Sequence, residues 1–124
     1  MDFVSKQGII FATLVESRQN DICRALEAID DGTFNLDLWK RPGGGGGNTR
    51  ILESSTFEKA GVNTSRVFGK ITPSEVPMFN QLVQKVDSNF QISKETQFFA
   101  TGISLVIHPK NPFIPTVHAN YRYF

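Results

Sequence analysis

The sequence predicts an α+β fold, a largely antiparallel sheet flanked by helices. Three observations carry this. One long segment spaces its apolar residues as a helix does, several shorter ones alternate apolar and polar residues as strands do, and a second helix-start signature interrupts the strands.

From about Phe3 to Ile29, the residues Phe11, Leu14, Val15, Ile22, Ala25, Leu26 and Ile29 recur at helical spacing. Glu16, Arg18, Gln19, Asn20 and Arg24 lie between them, so an amphipathic helix burying that stripe is expected. Asp30-Asp31-Gly32 should stop it, because glycine accepts the left-handed conformation in which helices commonly end. Phe34, Leu36 and Leu38 then alternate with polar neighbours into Trp39, as in a half-buried strand, and Gly43 to Gly47 are expected to break regular structure. Thr49 to Leu52 and Phe57 to Phe68 read as strands joined by a turn over Glu53 to Thr56, the second made irregular by Gly61 and Asn63-Thr64-Ser65. In Thr72-Pro73-Ser74-Glu75, Thr72 can cap a helix, Pro73 suits its first position and Glu75 can reach back to the cap amide. Phe79, Leu82, Val83 and Val86 would form its buried stripe. Phe98 to His108 and Thr116 to Phe124 are strand-like, and the prolines between Pro109 and Pro115 keep their connection irregular.

The 124 residues suit a single domain over residues 1–124 with a core of its own. Thirteen Lys and Arg against twelve Asp and Glu leave a net charge of +1, so no bulk field attracts nucleic acid or anionic lipid, and no nucleic-acid partner is expected. The longest apolar stretch, Gly8 to Val15, falls far short of a membrane span. Cys23 is the only thiol, which excludes an internal disulfide and leans towards a reducing compartment. A soluble, intracellular protein is expected, with Cys23 a small core residue rather than a nucleophile.

The last two strands carry the chemistry. Side chains alternate faces, so Ser104 and His108 share one face, and Thr116, His118, Asn120 and Arg122 share another. Symmetric pairing across the connecting loop sets Ser104 opposite Asn120 and Val106 opposite His118, which brings both polar rows onto the same side. Such a row is often only the solvent face of a sheet. His, Asn and Arg at successive same-face positions nevertheless form a set able to fork a carboxylate and move a proton near neutral pH.

Other templates fail. Gly102-Ile103-Ser104-Leu105-Val106 lacks the second glycine of a nucleophile elbow, and Gly43 to Gly47 lack the lysine and hydroxyl of a phosphate-cradling loop. His108 and His118 are the only histidines, too few for a complete zinc site from this chain. The glycines are either a linker or a segment where a bulky ligand meets bare backbone.

Trp39-Lys40-Arg41 with the glycine run and Arg50, Phe57 to Asn63, Gly102 to Pro112 and Pro115 to Phe124 resemble the oxygen-dependent coproporphyrinogen III oxidases over nearly the whole chain. The resemblance implies a cytoplasmic or mitochondrial haem-biosynthesis enzyme that oxidatively decarboxylates two propionates of coproporphyrinogen III to vinyl groups. Molecular oxygen is then the acceptor, no organic cofactor is implied, and the enzyme is a homodimer. By position, Ser104 matches a substrate-contacting serine, His118 the proton donor, and Asn120, Tyr121 and Arg122 a substrate-contacting segment. His108 and His118 match two histidines that bind a divalent metal in some members. Arg122 and Arg50 are the candidate cations for pairing the substrate's carboxylates.

Family members continue far beyond the equivalent of Phe124, with further histidines, an acidic residue for the pyrrole nitrogens and a dimer-forming segment. The chain is therefore expected to be an N-terminal portion of the family domain, with its sheet incomplete and no turnover of its own, and either to self-associate or to be only partly ordered. The alternatives are a non-catalytic tetrapyrrole-binding module and an assembly protein that pairs through its sheet edge.

Overall fold

The computed structural model describes residues 3–93 and 95–124. The elements follow in the order α1 (Lys6–Ala28), β1 (Asn35–Lys40), β2 (Gly45–Leu52), β3 (Phe57–Lys70), α2 (Val76–Gln84), β4 (Gln97–Pro109) and β5 (Val117–Tyr123). The five strands form one open antiparallel sheet in chain order, β1-β2-β3-β4-β5, so every connection joins neighbours and β1 and β5 are its edges. The expected α+β architecture is what is found. The β4–β5 register is also the expected one, with Ser104 opposite Asn120 and Val106 opposite His118. No helix among the described residues is long and apolar enough to cross a membrane.

Helix α1 is capped by Ser5, whose hydroxyl accepts from the Gly8 amide at 3.0 Å and lies 2.6 Å from the Tyr123 hydroxyl. Its contact line matches the expected stripe only in part, through Val15 and the half-buried Phe11, Ile22 and Leu26. Gly8, Ala12, Val15, Gln19 and Cys23 are buried, whereas Leu14 is 45% and Ile29 70% exposed, and Ala25 faces solvent. The cause is close approach: a Cβ on Gly8 would come within 3.1 Å of the Tyr123 ring and 3.3 Å of the Phe99 ring, so small residues mark the line where helix meets sheet. Val15 and Cys23 pack on Val62 and Ile103, with Phe11, Ile22 and Leu105 half-buried around them.

Gln19 is the polar pin of this contact. It is 1% exposed, donates to the carbonyls of Asn48 at 2.8 Å and Val62 at 3.0 Å, and accepts from the Thr64 hydroxyl at 3.2 Å. Each buried partner would be stranded by truncation. Gln19→Ala is therefore expected to lower unfolding free energy by about 2 to 4 kcal/mol; an unchanged urea midpoint would show that water takes over the role. Glu16 forks the Arg66 guanidinium at 2.6 and 2.8 Å, fastening the same helix to β3.

Four local expectations are corrected. Gly45, Gly46 and Gly47 do not break structure but form the start of β2, paired with β1 and β3. Gly44 and Gly45 have φ of 132° and 83°, which the Arg41–Gly44 turn needs and other residues rarely adopt. Strand β3 runs unbroken through Gly61 and Asn63-Thr64-Ser65, its one irregularity lying between Phe57 and Lys59. Helix α2 begins at Val76 rather than Pro73: the Glu75 carboxylate does accept from the Thr72 amide at 2.9 Å, but that bond closes a turn ahead of the helix, and Glu75 itself is the cap residue. Only Phe79 of α2 is buried; Val83 is half-buried, while Leu82 is 47% and Val86 92% exposed.

Candidate functional site

The helices settle what each sheet face can do. Val62, Thr64, Ile103 and Leu105 point at α1, so their alternate neighbours along each strand point the other way. That second face is covered only at one end, where Phe79 of α2 lies 5.7 Å from the Phe98 ring and stacks at 5.2 Å on Phe124. The rest is open.

Ser104, His108, His118, Asn120 and Arg122 all lie on this open face, as alternation and register require. The register extends their rows across the sheet. One row reads Asp37, Thr49, Asn63, Ser104 and Asn120; its neighbours read Trp39, Gly47, Ser65, Gly102 and Arg122 on one side, and Asn35, Ile51, Gly61, Val106 and His118 on the other. The platform is polar through its middle, glycine-rich along its floor, and cationic at Arg122 and at Lys59, which pairs with His108.

A fixed hydrogen-bond chain crosses it. The Trp39 Nε1–H donates to the Thr49 hydroxyl at 3.1 Å, and that hydroxyl donates to Asn63 Oδ1 at 2.6 Å. The Thr49 hydrogen is thereby used, so the Asn63 amide is held with its two N–H donors free to face outwards. Sequence reasoning missed Trp39, Thr49, Asn63 and Lys59. Their signal was the alternation in β2 and β3, obscured by the glycines.

His108 and His118 meet as stacked rings, centroids 5.1 Å apart with 10° between their planes, and their Nε2 atoms are 2.9 Å apart. The two Nε2 atoms are within hydrogen-bond distance, and the ring tautomers decide which of them donates. Two imidazole nitrogens facing each other fit half of a divalent-metal site, and a metal would replace the shared proton. Among the described residues no group of three His, Cys, Asp or Glu side chains could hold a metal, so the histidine pair is the part of such a site that they supply.

Two expected members stand apart. Arg50 lies on the α1 side, lining a cleft of about 460 Å³ with Gln19, Asn48 and Arg66, because it shares the face of Val62 opposite it. Tyr121 faces that side too, over a groove with Phe11 and Leu14. Neither joins the open face. Cys23 is the core residue expected: it is 3% exposed, and burial pushes its thiol up, which keeps it uncharged.

The family model described as coproporphyrinogen III oxidase matches residues 10–124. Coproporphyrinogen-III oxidase 1, chloroplastic, of Arabidopsis thaliana is 47% identical over 116 residues, covering 92% of this chain and 29% of that protein. The oxygen-dependent coproporphyrinogen-III oxidase of one Prochlorococcus marinus strain is 48% identical over 108 residues, and that of Drosophila melanogaster 46% over 114. These alignments cover 86% and 90% of this chain and 29% and 28% of those two proteins. The chain thus spans about three tenths of the length of these relatives, and its five-stranded open sheet is part of a larger domain. With the match running through both helices and all five strands, the chain belongs to the coproporphyrinogen III oxidase family.

Proposed function

We propose that the open face is the part of a coproporphyrinogen III oxidase that receives the tetrapyrrole, within the N-terminal portion of the family domain. One observation carries this reading: two histidines with Nε2 atoms 2.9 Å apart, His108 and His118, share an uncovered, glycine-floored face with Ser104, Asn120 and Arg122. A tetrapyrrole with four propionates asks for that combination of flat floor, carboxylate-pairing cation and acid/base group. Each of the two reacting propionates gives up its carboxyl as carbon dioxide and a hydride equivalent from the carbon next to the pyrrole, and the other two are kept. Two electrons pass to oxygen, the vinyl double bond forms, and one proton completes hydrogen peroxide. In this reading His118 supplies that proton, Arg122 pairs with the carboxylate, and Ser104 and Asn120 orient the arm between them. Molecular oxygen is the co-substrate and no organic cofactor is invoked. Where a divalent metal binds, His108 and His118 hold it and it supplies Lewis acidity.

The working unit we infer is a homodimer of the longer polypeptide, acting in the cytoplasm or the mitochondrion; the relatives named chloroplastic add the plastid. A second reading, tetrapyrrole binding without turnover, is favoured by the scarcity of acid on the platform, where Asp37 on the edge strand is the one carboxylate of the three mapped rows. For this chain by itself we expect binding without vinyl product, checked by an aerobic assay for carbon dioxide.

The only tryptophan, Trp39, lies on the open face and reports on it directly. Titration with coproporphyrin III is expected to quench its fluorescence saturably, and Arg122→Gln to weaken binding roughly threefold to tenfold. Absence of quenching would remove the open face as the tetrapyrrole site.

A further inference from the structure

The open face contains one glycine that the fold does not need. A Cβ on Gly47 would collide with the Trp39 ring, and one on Gly102 would lie 2.6 Å from the Tyr121 carbonyl oxygen, so both are required by close packing. Gly61 is different. Nothing lies within 4 Å of the position its Cβ would take, and it is absent from the residues with positive φ. It occupies the middle strand of the five, where a glycine loosens the sheet and leaves a gap. Neither backbone conformation nor neighbours explain it, which leaves the space itself as the reason.

That space is a pit of about 330 Å³. Ile51 and Val106, the register partners of Gly61, form apolar walls. Lys59 and Asn63 stand one same-face step to either side along β3, and His108 lies opposite Lys59. No carboxylate pairs with Lys59 among the described residues. The Asn63 amide is held by Thr49 and Trp39 with its donors free.

We propose that the pit over Gly61 is the subsite for one propionate-bearing pyrrole ring of the tetrapyrrole, with the ring on bare backbone between Ile51 and Val106 and its carboxylate on Lys59 and the Asn63 amide. This rests on the open face being the tetrapyrrole site. His118 lies in the same cross-strand row as Gly61 but two strands away, roughly 10 Å. The pit meets the histidine pair only at its rim, where His108 lines it with its Nε2 2.9 Å from that of His118, so a ring seated over Gly61 anchors the macrocycle and selects which propionate reaches His118.

The test uses Trp39 quenching by coproporphyrin III and by a water-soluble porphyrin with four cationic arms, together with thermal melts of the same chain. Gly61→Ala is expected to raise the melting midpoint by roughly 2 to 5 °C, since the position accepts a side chain, while weakening coproporphyrin binding roughly tenfold. Gly61→Val should weaken it further. Lys59→Gln is expected to weaken coproporphyrin roughly threefold to fivefold and leave the cationic porphyrin no weaker, with Lys59→Arg retaining affinity. If the unaltered chain binds coproporphyrin and Gly61→Val and Lys59→Gln bind it equally well, the subsite is wrong while the open face stands. If the unaltered chain does not bind, the broader reading fails and the subsite with it. Should Gly61→Val melt lower than the unaltered chain, Gly61→Ala and Lys59→Gln decide the matter.

Discussion

Replacing His118 by alanine, in a polypeptide that joins this segment to the rest of a family-length chain, is expected to lower turnover by about 10²-fold or more while changing substrate affinity less. The geometry gives the reason. His118 is exposed on the open face, its Nε2 is 2.9 Å from that of His108, and Asn120 and Arg122 follow it along the same side of β5. Under the proposed function one ring passes a proton outwards while the other holds the ring plane, so removal of His118 would take away the proposed donor. His108→Ala should then act as loss of a positioning partner, with a smaller fall in turnover and a changed pH profile. Normal turnover in the His118→Ala protein would make His118 a structural partner of His108 and nothing more.

Gly45→Val is expected to destabilise the chain by about 3 kcal/mol or more, read as a lowered urea midpoint. Two independent causes converge at this position. Its φ of 83° is strained for any β-branched residue, and a Cβ there would run into the Arg66 carbonyl of the paired strand. The Gly45 carbonyl also accepts the Arg41 amide at 2.9 Å, closing the turn that sets the β1–β2 register. Trp39 lies over Gly47 only in that register, so the substitution should also shift the Trp39 emission. A valine variant with the original midpoint would reopen the idea that the glycine run exists for a ligand.

These two sites were legible in the sequence to different degrees. His118, Asn120, Ser104 and Arg122 could be placed on one face because strand alternation is local and the short loop from Pro109 to Pro115 leaves one symmetric pairing, which the structure adopts. The burial of Cys23 and the reach of Glu75 back to Thr72 were legible for the same reason, since each depends on few neighbours. The glycine run was not, because residues without side chains carry no alternation from which to read a strand.

What the sequence by itself determined was the α+β order, the family, and the pairing that gathers the polar rows of β4 and β5. The tertiary structure alone decided which face stays open. That depends on where α1 docks, and α1 docks along Gly8, Ala12, Val15, Gln19 and Cys23 because close approach to the sheet outweighs the burial of larger side chains such as Leu14 and Ile29. Docking there turns Arg50 and Tyr121 to the covered side, and brings Trp39, Thr49, Asn63 and Lys59 to the face with the histidines. Period-two alternation tells which residues share a side, but the side that meets solvent is set by packing between segments distant in the chain.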